Sequence, residues 1–278
     1  MKELFNYISY KNSEILTKNY STSFSLGILF IEKSIRKHIY AIYGLVRLAD
    51  EIVDTFTDIN QKEWLDKLKE DTYKAIQNGF STNMILNSFQ LTARKYNINK
   101  ELIEPFFESM YMDLQKIEYN EKNYNKYIYG SAEVVGLMCL KIFVNGDDIL
   151  YQNLKSYAQA LGSAFQKVNF LRDIKNDVEI LNRSYFPNID LQNLTEEDKI
   201  KIVNEIESDF DKALPGIRML PDNSRIGVTI AYEYYKTLLN KINKSPSKNI
   251  LKMRIRINNF LKILILLKVL IKQKLQLN

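Results

Sequence analysis

The sequence predicts an all-α protein, and three observations carry that prediction. Apolar residues recur mainly at three- and four-residue spacing, the period of one helix face. Strand-like alternation is rare. Breakers are scarce: no proline precedes Pro105, and glycine occurs nine times in 278 residues. A first helix is expected over 3–19. A second spans 33–56, where Ile39, Ile42, Tyr43, Val46 and Ala49 or Asp50 share one face. Helices over 61–78 and 82–96 are separated by the breaker "NGFST" (78–82). Those over 100–117 and 123–143 follow, closed by "NGDD" (145–148). A long helix over 147–181 runs into "RSYFPNIDLQN" (183–193). Helices over 195–214 and 223–243 flank "LPGIRMLPDN" (214–223), and a last one covers 247–275 after "NKSPSKN" (243–249). None of these breaks is long or Gly/Ser-rich enough to be a flexible linker. The expectation is a single helical domain over residues 1–278.

Composition excludes several kinds of chemistry. The chain is 46% hydrophobic and 26% charged, an ordinary balance with ample material for a core. Its one cysteine, Cys139, rules out an internal disulfide and fits a reducing compartment. With a single histidine beside it, the usual zinc ligand set cannot be built. Cys139 is expected as a buried core thiol, and His38 as a surface or interface histidine rather than a base. No glycine-rich phosphate loop and no dinucleotide fingerprint is present. The N-terminus mixes charged and apolar residues and is not expected to act as a signal peptide. The longest apolar run, "ILILLKVLI" (263–271), contains Lys268 and is too short for a membrane span of about 20 residues.

The net charge of +6 is uneven, since residues 252–278 carry seven basic residues and no acid. No nucleic-acid-binding motif accompanies that charge, so no nucleic-acid partner is expected. The tail reads in two compatible ways. It packs on the bundle through a stripe of Ile257, Leu261, Leu264 and Lys268, with lysine stems at the edge. It also suits a peripheral contact with an anionic membrane. The expected location is cytoplasmic, with that contact peripheral.

Two helices interrupt their apolar faces with acids. "YGLVRLADEIVDTF" (43–56) carries Asp50 and Asp54, and "FQKVNFLRDIKNDVEILNRSYFP" (165–187) carries Asn169, Asp173 and Asp177. Residues four apart stack on one helix face, so each set forms a ladder. Like charges at that spacing are unfavourable, and burying them uncompensated is more so. Both ladders emerge from strongly apolar stretches, which argues against solvated faces. Facing each other, they would form a negative pocket suited to hard divalent cations, above all Mg²⁺. Such an ion is typically held by one or two carboxylates together with substrate phosphates. Arg47, Arg172 and Arg183 stand beside the ladders, where guanidinium forks can meet diphosphate oxygens. The chemistry this permits is ionisation of an allylic diphosphate inside an apolar lumen. Cations would stabilise the leaving group, and aromatic rings the carbocation.

On these residues the sequence resembles the squalene/phytoene synthases, which join prenyl diphosphates head to head. "AIYGLVRLADEIVD" and "GSAFQKVNFLRDIKNDVEILNRSYFP" are similar to that family's two aspartate-rich motifs. "YIYGSAEVVGLMC" (127–139) resembles its Tyr-containing helix, "YSTSFSLGILF" (20–30) its flap, and "RIRINNFLKILILLKVL" its closing helix. The resemblance implies an isoprenoid-synthase helical bundle with a central cavity, and Mg²⁺ as cofactor. Asp50, Asp54, Asp173 and Asp177 would be the catalytic acids, and with Asn169 the metal ligands. Arg47, Arg172, Arg183, Tyr127 and Tyr235 would contact diphosphate, and Asn169 would serve substrate as well. Ser21 and Phe24 would belong to the flap, Gln166 would face the reacting chains, and Ala132, Val135 and Gly136 would give the lumen room. Glu51 stands where the family often has aspartate. Glu133 replaces a usual glycine and is expected at a helix interface, paired with a basic residue. The implied reaction couples two geranylgeranyl diphosphates to phytoene through a cyclopropylcarbinyl diphosphate, releasing two diphosphates. A squalene or dehydrosqualene synthase using farnesyl diphosphate is the alternative, and a non-catalytic assembly factor of the same fold a third.

Overall fold

A computed structural model describes residues 1–115, 119–179 and 183–276. Among the described residues the long elements are all helical. They are α1 (Lys2–Tyr20), α2 (Thr22–Ile28), α3 (Lys33–Asp54), α4 (Gln61–Asn78), α5 (Met84–Lys95), α6 (Lys100–Asp113), α7 (Glu121–Ile128), α8 (Val134–Phe143), α9 (Asp148–Glu179), α10 (Glu196–Met219), α11 (Asp222–Lys244), α12 (Ser247–Lys252) and α13 (Asn259–Gln276). Short polar residues set the starts. The side chains of Asn60, Asn83, Asn99, Asn120 and Thr195 each accept a backbone N–H from the first turn of α4, α5, α6, α7 and α10. Gly79, at φ 69°, ends α4 in the left-handed region that glycine enters without steric cost.

Several boundaries differ from expectation. α2 occupies a stretch for which the periodicity gave no helix; Ser21 caps it, its Oγ accepting from the Phe24 N–H at 3.2 Å. α3 stops at Asp54 and α6 at Asp113, while 116–117 and 180–181 of two expected helices lie outside the described residues. α10 runs through Pro215 to Met219, past the expected stop at 214. Proline removes one helical hydrogen bond, but Gly216 lies so close to α9 that a Cβ there would meet Tyr157 Cβ at 2.2 Å. That packing holds the turn helical. The helix expected over 247–275 is two, α12 and α13, joined by extended residues 253–258. There "RIRI" alternates, burying Ile255 and Ile257 and exposing Arg254 and Arg256. That is a period of two, not 3.6.

The expected helix over 123–143 is one continuous rod, α7 and α8, joined by a π-helical turn at Tyr129–Glu133. Its tightest point is Gly130, where a Cβ would stand 2.2 Å from the Pro105 carbonyl oxygen. Two apolar clusters hold the bundle together. One gathers α3 to α6 and α8 around Phe89, Phe106 and Leu65, the other α9 to α11 around Phe210, Leu238 and Ile242. A cavity of about 530 Å³ is lined by members of both.

His38 is not at the surface; it is 2% exposed, at the junction of α1, α3 and α5. The expectation of an interface position is met. Glu133, the last residue of the π turn, is not part of the cavity wall and meets α9 as expected of an interface position, but its partner is the Gln159 amide at 2.8 Å instead of a base.

Candidate active site

Two helices supply the framework. Along α3, Ile39, Tyr43, Val46, Arg47, Asp50 and Asp54 face the cavity; along α9, Leu154, Leu161, Phe165, Gln166, Asn169, Asp173 and Asp177 do so. Each helix passes from apolar to polar in the same sense, so the cavity has a greasy floor and an acidic mouth. From Leu154 to Asp177, at 1.5 Å per residue, that gradient extends about 35 Å.

All the predicted site residues are brought together on this wall: Ser21, Phe24, Arg47, Asp50, Asp54, Tyr127, Ala132, Val135, Gly136, Gln166, Asn169, Arg172, Asp173, Asp177, Arg183 and Tyr235. Tyr235 stacks on Phe165 with centroids 4.1 Å apart and donates to Asn169 Oδ1 at 3.4 Å. Cys139 differs from expectation. It is half-buried and lines the cavity; burial pushes its thiol up to about 12.

Arg183 is the keystone of the mouth. Its Nη1 lies 2.7 Å from Asp54 Oδ1 and 3.5 Å from Asp113 Oδ1. Its Nη2 donates to the carbonyls of Val53 and Asp113, the last turns of α3 and α6. A cation at two helix C-termini is favoured by both dipoles. Arg172 forms a fork on Asp173, with Nη2 at 2.6 Å and Nε at 3.0 Å. Arg47 pairs with Glu51 and reaches Asp50 at 4.0 Å, its guanidinium 4.2 Å over the Tyr20 ring. Glu51 is thus turned to Arg47.

Three participants were not anticipated. Asp113, at the end of α6, has a side chain only 3% exposed. It accepts from Tyr127 at 2.8 Å and Tyr185 at 3.2 Å. Arg254, on the extended link before α13, lies 2.7 Å from Asp173. Asp113 belongs to no ladder, and Arg254 lies 81 residues from its partner in the chain. Tyr185 had a visible signal, two residues after Arg183 in the second motif.

The acids repel one another. Burial, then Asp54, pushes Asp50 up to about 7. Burial raises Asp113 to about 7 against the pull of Arg183. Asp177 rises to about 8 through burial and Asp173, with Asp54 and Asp113 contributing. Those couplings link the two ladders across the mouth. The cluster therefore has carboxylate charge that Arg47, Arg172, Arg183 and Arg254 do not fully neutralise, which fits a bound divalent cation. Among the described residues no three acids converge into an all-protein cage. A Mg²⁺ site using one or two carboxylates and substrate phosphates needs none. Asp50, Asp54, Asn169, Asp173 and Asp177, the predicted ligands, all line this mouth and could offer oxygens to such an ion.

Comparisons with known proteins agree with this architecture. The squalene/phytoene synthase family model matches residues 17–260. A 4,4'-diapophytoene synthase of Staphylococcus haemolyticus is 26% identical over 85% of this chain and 88% of its own. A 15-cis-phytoene synthase of Synechocystis is 30% identical over 84% of this chain and 76% of its own. In fold, the chain matches the crystal structure of a dehydrosqualene synthase in complex with ligand, with a TM-score of 0.80, 19% identity and 98% coverage of both chains.

Proposed function

The chain belongs to the squalene/phytoene synthase family, a prenyltransferase of the phytoene synthase type, and from that premise we propose that it condenses two geranylgeranyl diphosphates head to head. The observation that carries this is two carboxylate ladders facing each other at the mouth of an apolar cavity. In this reading residues 1–278 act as one domain. Asp50, Asp54, Asn169, Asp173 and Asp177 hold Mg²⁺. Bound there, the ion neutralises diphosphate and stabilises it as a leaving group.

The protein's own side chains do the rest. Arg47, Arg172 and Arg183 turn their guanidinium groups from the acids to diphosphate oxygens. Tyr127 and Tyr235 supply hydroxyl donors at the same level. Phe165 and Phe170 present ring faces to cationic charge, and Gln166 orients the chains. Ser21 and Phe24, on the capped start of α2, cover the mouth against water. One substrate ionises with loss of diphosphate and alkylates the other, which gives up a proton to leave a cyclopropylcarbinyl diphosphate; this loses the second diphosphate, rearranges, and gives up a second proton to yield phytoene. A peripheral membrane contact through the C-terminal helix belongs to the same proposal, as does a cytoplasmic location. Among the described residues no helix is long and apolar enough to cross a membrane.

A second reading for chain length takes farnesyl diphosphate, and the likeness to a 4,4'-diapophytoene synthase keeps it beside the first. At roughly 25 Å³ per carbon, from one benzene in a cavity of about 150 Å³, the cavity of about 530 Å³ is smaller than either pair of chains needs and does not choose between them. Product analysis with Mg²⁺ and each diphosphate, with and without NADPH, tests both. Phytoene without NADPH supports the first reading, and a C30 product the second. No product from a folded, Mg²⁺-loaded protein sinks the enzyme reading and leaves the assembly factor.

A further inference from the structure

α8 and α9 run antiparallel along the cavity, and two glycines fix their register. A Cβ on Gly162 would stand 2.8 Å from the Ala132 carbonyl oxygen, and one on Gly136 3.0 Å from that of Ala158. With Tyr127 at the acidic mouth, Phe143, the last residue of α8, therefore lies beside the start of α9, at the apolar end. Between those ends the lumen side of the rod is small: Ser131, Ala132, Val135, Gly136 and Cys139. Only then do Leu140 and Phe143 close it, with Phe143 8% exposed.

The backbone behind Phe143 is pinned. The carbonyl of a last helical residue has no partner within its own helix. Here the Asn223 side-chain amide donates to the Phe143 carbonyl at 2.9 Å. The Asn223 carbonyl in turn accepts the Glu32 N–H at 2.7 Å, just before α3. Arg36 holds the turn that precedes it, its Nη2 donating to the Leu29 and Ile31 carbonyls at 2.7 and 2.8 Å. α11 leaves no slack against that turn: a Cβ on Gly227 would stand 2.6 Å from the Gly27 carbonyl oxygen and from Ile31 Cγ1. Gly27, Ile31, Phe143 and Gly227 all line the cavity. The floor thus joins α8, α11 and the α2–α3 turn, and it cannot give way by letting them part.

We propose that Phe143 sets the length of prenyl chain the cavity accepts, and that Asn223 is the positioning residue that holds it there. This rests on the prenyl-coupling reading and adds the element that selects among its substrates. Phe143 meets the far end of the chain, and Asn223 acts through the Phe143 carbonyl. An apolar pocket discriminates by about 10–200-fold per methylene, and a floor backed by fixed backbone resists overpacking. Leu140 stands nearer the mouth on the same wall, so a chain passes it before it reaches Phe143.

The full chain is assayed with Mg²⁺ and the fifteen-, twenty- and twenty-five-carbon prenyl diphosphates, as wild type, Phe143→Leu and Asn223→Ala. Phe143→Leu keeps an apolar side chain at the floor, and circular dichroism verifies the fold of each variant. Expected in Phe143→Leu is a rise of at least about tenfold in relative kcat/KM for the first chain too long for the wild type. Asn223→Ala should relax the same discrimination by at least about threefold, through KM for the longer chain. Unchanged ratios in Phe143→Leu, or a wild type that takes all three chains equally, overturn the floor. An equal loss for all chains in Asn223→Ala overturns the positioning role, since that is what a merely structural bond would give. Calorimetric affinities for the matching S-thiolodiphosphates, which do not ionise, separate this from the coupling chemistry. Product with unchanged ratios removes the floor alone; no product with a shifted affinity ratio removes the chemistry and leaves the floor.

Discussion

His38 gives the sharpest quantitative prediction, because it is the chain's only histidine. Its Nδ1 lies 2.9 Å from Thr92 Oγ1 and 3.2 Å from the Tyr10 hydroxyl. Thr92 gives its own proton to the Ser88 carbonyl, so its oxygen can accept from an Nδ1–H, while the Tyr10 hydroxyl can donate to a bare Nδ1. Nε2 is buried without a partner, and the Tyr10 and Tyr96 rings stand edge-on beside it. Protonation would place a cation in that apolar slot. Burial first, then Lys95 and Lys37, pushes the imidazole down to about 3 from 6.5.

A folded value below the unfolded one fixes the sign. Above about pH 6.5 the residue costs nothing. As pH falls from there toward 3 the unfolded chain takes up a proton that the folded chain refuses, and stability falls. The slope is about 1.4 kcal/mol per pH unit, so at pH 4.5 the penalty is about 2–3 kcal/mol. That is a sizeable share of a typical folding free energy. His38→Gln can still donate to Thr92 and does not titrate. It should match the wild type within about 1 kcal/mol at pH 7.5 and exceed it at pH 4.5 by about 2–3 kcal/mol in urea unfolding. The raised carboxylates titrate in both proteins and cancel in the difference. Histidine-selective ¹³C NMR, with one resonance, reads the group directly. Parallel pH profiles for the two proteins, or a titration midpoint near 6.5 in the folded state, would refute the reasoning.

Asp50→Ala and Asp173→Ala are each expected to lower turnover by at least about a thousandfold while the far-UV helical signal persists; near wild-type activity in both would defeat the site assignment. Asp113→Ala strips the partner from Tyr127, Tyr185 and part of Arg183, and should cost about 3–5 kcal/mol in urea unfolding. Asp113→Asn keeps the shape but turns an N–H₂ donor toward either Tyr127 or Tyr185 and Arg183, so it should lose a substantial part of the same stability; no loss in Asn would show that the carboxylate oxygens are not what holds the mouth together. Gly130→Ala drives a Cβ into the Pro105 carbonyl and should lower stability by about 1–3 kcal/mol, read as a lower thermal midpoint. An unchanged midpoint would mean that α6 and the π turn part freely.

What the sequence revealed and what it hid follow one rule: local spacing shows what one helix presents, and nothing about what another helix brings to meet it. The ladders Asp50/Asp54 and Asn169/Asp173/Asp177 were legible because their period is that of the helix itself. Asp113 was not, because it is a single acid at a helix end whose role comes from Tyr127, Tyr185 and Arg183. Arg254 was hidden for the same reason, being brought to Asp173 by a chain reversal. Pro215 misled in the opposite direction: a local breaker was overruled by the close contact of Gly216 with Tyr157.

The 253–258 link shows where the limit lies. Its signal was present, since Arg254, Ile255, Arg256 and Ile257 alternate with a period of two, but the apolar run on its C-terminal side has helical period and drew the boundary too far. The consequence reaches the site. Extended backbone advances about 3.3 Å per residue against 1.5 Å in a helix, so an uninterrupted helix would set Arg254 at a different distance and angle from Asp173. Because the link is extended, one segment buries Ile255 and Ile257 under the bundle and aims Arg254 at the second acid ladder. Lengthening or helix-stabilising that link should therefore disturb the mouth of the cavity before it disturbs the packing of α13.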